Sequence, residues 1–129
     1  MNSLNPSIEQ IVNEINTVNH AWKMAQELFE QGSPLANSLR ELKATLQVRL
    51  LRCYAPQWVY LAEDTQAKSE EPLYGLCLVQ PVAGWQDAAH LPIRVANERL
   101  SPQEINQFSA LLNQSMNVNF AHIQKSVWL

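Results

Sequence analysis

The chain has 129 residues, 47% of them hydrophobic and only 3 of them glycine, and its 9 Lys and Arg against 12 Asp and Glu give a formal charge of −3. That length fits one domain and can bury a core without metal or disulfide staples, and the composition excludes the disordered, fibrous and low-complexity classes. The cations are dispersed along the chain, whereas phosphate neutralisation needs them clustered, which argues against nucleic acid. No apolar run approaches a membrane span, and Met1-Asn2-Ser3-Leu4 has no basic region leading into an apolar one, so a cytoplasmic protein is expected.

Apolar residues at Ile8, Ile11, Val12, Ile15, Val18, Trp22, Ala25, Leu28 and Phe29 recur in steps of three and four, the period of a helix with one buried stripe. Asn5-Pro6 or Ser7 is suited to open this helix and Gly32 to close it in the left-handed conformation. Ser33-Pro34 then restarts the chain as a cap and first turn. A second stripe follows at Leu35, Leu39, Leu42, Leu46, Leu50 and Cys53. So short a joint predicts an αα-hairpin over residues 5–53 with the two stripes facing each other. Met24, Val48 and Leu51 fall off these stripes, so both helices are apolar over more than one seam, and either a sheet or a second chain must cover the surplus. Lys23 on the first helix and Arg40, Lys43, Arg49 and Arg52 on the second read as solvated charge. Arg49 lies beside the leucine stripe and is the one marked for a specific partner contact.

At Tyr54-Ala55-Pro56 the period changes, and residues 56–97 read as antiparallel strands. Gln57 to Ala62 alternates and is rich in aromatic and β-branched side chains, as a half-buried strand requires. Residues 63–71 have no apolar anchor and are expected to form an exposed loop. Pro72 and Pro81 bracket Leu73 to Val79, apolar on both faces and thus a central strand, in which Gly75 marks a bulge or close approach. Val82 to Trp85 reads as a turn and Ile93-Arg94-Val95 as a third strand. Ser101-Pro102-Gln103-Glu104 is a capping box opening a helix over residues 101–117, with Ile105, Phe108, Leu112 and Met116 on one face. Residues 118–129 form a tail whose Trp128 and Leu129 are expected to dock. The sum is an α+β domain: a helical hairpin on a three- or four-stranded antiparallel sheet, with a third helix near the C-terminus.

Chemistry is harder to find. His20, His90 and His122 share no metal-ligand spacing with each other or with the two cysteines, no Gly-rich phosphate loop is present, and no metal or cofactor is expected. Cys53 and Cys77 sit in apolar segments and read as reduced, buried thiols, and Cys77 among leucines is ill placed as a nucleophile. His90, with Asp87 or Glu98 as its acidic neighbour, is the least favoured reading, a small enzyme. The aromatic residues stand out, because Trp and Tyr dominate binding hot spots. The leading expectation is therefore a non-enzymatic interaction module, an adaptor or assembly factor. Trp85, Trp128, Leu129 and Arg49 would contact a protein partner, or a second copy in a homodimer. The alternative is a small-molecule-binding sensory domain with a pocket between helices and sheet lined by Trp58, Tyr60 and Cys77.

Overall fold

A computed structural model describes residues 7–30 and 32–109. Two long helices, α1 (Ile8–Leu28) and α2 (Pro34–Tyr54), precede three strands, β1 (Val59–Glu63), β2 (Leu73–Val82) and β3 (Trp85–Pro92), and two short helices, α3 (Ile93–Arg99) and α4 (Pro102–Phe108). The α+β architecture is the one expected. Ser7 caps α1 by accepting from Gln10 N at 3.1 Å, and Ser33 caps α2 by accepting from Ala36 N at the same distance. In α4 the capping box is complete, Ser101 Oγ accepting from Glu104 N while Glu104 Oε1 accepts from Ser101 N. α1 ends at Leu28, before Gly32, whose φ of 84° belongs to the connection instead of the helix end.

The sheet is antiparallel in the order β1-β2-β3. Ala83 and Gly84, with φ of 52° and 84°, make the two-residue turn between Val82 and Trp85, the geometry that matches strand twist. Trp85 thus begins a strand, and β3 is the segment Trp85–Pro92. The expected strand at Ile93-Arg94-Val95 is instead the start of α3. Pro92 lacks the donor a ladder needs but has the φ a first helical turn accepts, so the chain leaves the sheet there and turns helical. The register shifts between Gly75 and Cys77, but two steps along β2 there oppose three along β3, so the extra residue lies in β3, where Ala89 has a φ of 67°, and not at Gly75 as the glycine suggested.

One face of the sheet carries the core. Val59, Leu61, Leu76 and Leu78 meet Ile11, Val12 and Ile15 of α1 and Ala44, Val48, Leu50 and Leu51 of α2, with Ala96, Leu100 and Phe108 closing one end. The leucine stripe of α2 is therefore not its buried face. Of that stripe Leu50 alone is fully buried, while Leu35, Leu42 and Cys53 are exposed. Ala36 and Ala44 let α2 approach closely, and Gln47 points at β3. The expected continuation of the last helix through Leu112 to residue 117, and the docking tail, lie outside the described residues.

Candidate functional site

The hairpin meets the free edge of β3 through two buried amides. Asn16 Nδ2 of α1 donates to Val12 O at 3.2 Å and to Asp87 O at 3.1 Å. Gln47 Nε2 of α2 donates to Ala88 O at 2.9 Å and to His90 O at 3.0 Å. An edge strand leaves carbonyls without ladder partners, and a bulge adds to them; here the helices supply the missing donors. Both Gln47 contacts are carbonyl acceptors, so the amide orientation is determined, and Gln47 Oε1 is left fully buried with no hydrogen-bond partner among the described residues.

Beside Gln47, one turn earlier in α2, Lys43 is only 5% exposed. Its ammonium donates to Asn19 Oδ1 at 3.1 Å and lies 4.3 Å from the centroid of the Trp22 ring, and the Arg40 guanidinium stands 6.0 Å from the same ring. Among the described residues, no carboxylate lies within ion-pair distance of Lys43. Burial, and then the charges of Arg40 and Lys23, lower its pKa to about 8. The residue expected to be solvated is thus a desolvated cation facing other cations. It lines a cleft of about 360 Å³ walled by α1, α2, the β1–β2 loop and the sheet end, where Trp22, Leu73 and Pro92 provide apolar surface. A smaller cavity of about 190 Å³ shares Arg40, Lys43 and Pro92 and reaches Gln47. Glu71 lies on the far wall, paired to Arg40 at 3.3 Å and to Arg94 of α3 at 3.2 Å.

The residues singled out from sequence lie elsewhere. Tyr60 and Cys77 are register partners on strands whose buried side chains point to the helices, so these two occupy the opposite face, as strand alternation requires. The expected pocket of Trp58, Tyr60 and Cys77 between helices and sheet is therefore not formed. Trp58 borders a shallow depression with Gln57, Val79 and Gln80. Burial, followed by the charge of Asp87, pushes the Cys77 thiol pKa up, the reverse of what a nucleophile needs. Cys53, expected to be buried, is exposed.

His90 Nε2 lies 2.7 Å from Asp64 Oδ2, a contact between β3 and the residue after β1 that spans the central strand, in which Gly75 stands opposite His90. That hydrogen bond is the main cause holding the Asp64 carboxyl below its ordinary value. The acidic partner is thus neither Asp87, whose Oδ1 accepts from Ala89 N, nor Glu98, which faces Arg94 at 3.7 Å. No third His, Cys, Asp or Glu joins such a pair to form a metal site among the described residues.

Trp85 is exposed, but its indole Nε1 donates to Asn13 Oδ1 of α1 at 2.9 Å, so its polar end is engaged and only its ring is available to a partner. Arg49 is exposed on α2, two turns beyond Leu42 on the same face. Trp128 and Leu129 lie outside the described residues. Sequence reading missed Lys43, Trp22, Asn19 and Gln47 as a group. The available signal was a lysine and a glutamine, four apart, on the flank of α2 that carries Ala36, Ala44 and Val48.

No described helix is long and apolar enough to cross a membrane. Comparison of the chain with protein-family models, curated proteins and solved structures gives no match, so function rests on the residues themselves.

Proposed function

We propose that this protein is a non-enzymatic interaction module, an adaptor or assembly factor, that pairs its second helix with a helix of its partner, the partner being a second copy of the chain. The observation that carries the reading is the seam Leu35, Leu39, Leu42, Leu46. Its 4-3-4 spacing is that of a coiled-coil contact, and α2 leaves Leu35 50% and Leu42 46% exposed, with Leu39 half-buried and Leu46 packed on the margin of the core. Met24, Leu28 and Phe29 add exposed apolar surface around the hairpin turn. Arg49 occupies the next seam position. Parallel pairing would set two Arg49 guanidinium groups together, whereas antiparallel pairing about a two-fold axis near Leu42 lays each Arg49 stem over the partner's Leu35 end. Free Cys53 and Cys77 agree with a reducing, cytoplasmic setting.

The test is light scattering after size exclusion over a range of concentrations. The intact chain should elute at twice its monomer mass and Leu42→Glu at the monomer mass with an unchanged circular dichroism spectrum. An intact chain that stays monomeric at all concentrations, or a Leu42→Glu variant that stays dimeric, would overturn the reading.

A further inference from the structure

We propose that the cleft between α1, α2 and the β1–β2 loop binds a small organic oxyanion, its carboxylate or phosphate group held by Lys43 and Arg40 and its apolar body resting on Trp22. This site is separate from the leucine seam and does not depend on it.

The first support is an uncompensated charge. An ammonium removed from water is costly unless paired, and natural buried lysines are paired or neutralised. Lys43 has instead a neutral amide oxygen, an aromatic face, and the cations Arg40 and Lys23 as neighbours. An ammonium carries three N–H donors. One is used on Asn19 Oδ1 and one side of the group is taken by the Trp22 ring, which leaves a donor for a ligand in the cleft. Lys68 and Glu71 on the loop, His90 on β3 and Arg40 on α2 complete the titratable and charged residues around it. Glu71 is already shared between Arg40 and Arg94, so it does not offset Lys43.

The second support is shape. A cleft of about 360 Å³ lies within the size range of small-molecule sites, and its mixture of apolar wall and a few convergent polar groups is what such sites present.

The experiment titrates the full chain with sodium benzoate, which joins a carboxylate to a planar ring, and in parallel with inorganic phosphate. Sodium chloride at matched ionic strength is the reference, and the Trp22 indole N–H signal is followed by NMR into the millimolar range. A saturable shift with benzoate, weakened tenfold or more in Lys43→Met and in Arg40→Met, is the expected result. Saturation by phosphate with none by benzoate would overturn the role of Trp22 as a platform. No saturable shift with either probe beyond that in chloride, or equal shifts in both variants and the intact chain, would overturn the site. Arg40→Met, on the cleft wall and half-exposed, reports on the same question if Lys43→Met fails to fold.

Discussion

At the scale of single residues, Lys43 dominates. In the folded chain its pKa is about 8, and unfolding returns it to the ordinary 10.5. Between these values the unfolded chain holds more protons than the folded one, so Lys43 makes stability rise with pH from about 8 to about 10.5. Below pH 8 its buried charge is a penalty of at most about 3 kcal/mol. Lys43→Met removes the charge and keeps the stem. It should therefore be more stable than the intact chain at pH 7, with the difference shrinking as pH approaches 10.5, as urea unfolding at pH 7 and pH 10 would show. Comparison at each pH cancels the other high-pH groups, Tyr60, Tyr74 and Cys77, whose pKa values burial raises. A variant less stable at pH 7 would mean that the contacts with Asn19 and Trp22 outweigh desolvation. Gln47 behaves oppositely. Gln47→Leu would leave Ala88 O and His90 O without their donor and should destabilise by about 1–3 kcal/mol in the same assay.

At the scale of elements, the helices and their caps follow from local chemistry, which is why their positions were legible. Ser7, Ser33 and Ser101 each accept from a backbone N–H three residues on, a contact that needs no tertiary partner. Ser101→Ala should destabilise by about 1 kcal/mol in urea unfolding. α4 is tied to α2 by Arg52, which donates to both carboxylate oxygens of Glu104 at 2.9 and 3.2 Å and to Arg99 O at 3.2 Å, so loss of the cap should not detach the helix. Ile93-Arg94-Val95 was not legible. Its alternation suits a strand, and a seven-residue helix has too few positions to display its period. The leucine stripe of α2 misled for a related reason. A helix apolar on two adjoining sides offers two periodic stripes, and the donors required by the β3 carbonyls, with the small Ala36 and Ala44, chose between them.

At the scale of the whole molecule, the β1–β2 loop is held over the cleft mainly by charge. Glu71 links Arg40 of α2 to Arg94 of α3, and Asp64 takes the His90 hydrogen bond. All of these groups are partly solvated, and such pairs add at most about 1 kcal/mol each. Glu71→Gln should therefore change global stability by less than about 1 kcal/mol while speeding proteolytic nicking within residues 64–71. Equal nicking rates in the variant and the intact chain would show that backbone contacts alone hold the loop.

Composition, period and capping chemistry by themselves determined the helical hairpin, the antiparallel sheet after Pro56 and the opening of the last helix, because each depends on residues a few positions apart. They also placed the surplus apolar surface on the two long helices. What only the tertiary structure decided is which stripe of α2 is buried, and that Asn19, Trp22, Arg40, Lys43 and Gln47 share one region. Those residues come from two helices folded back on one another and on a bulged strand edge. A lysine becomes a desolvated cation, and a glutamine an orphaned acceptor, only through neighbours that are distant in the chain and that sequence periodicity does not encode.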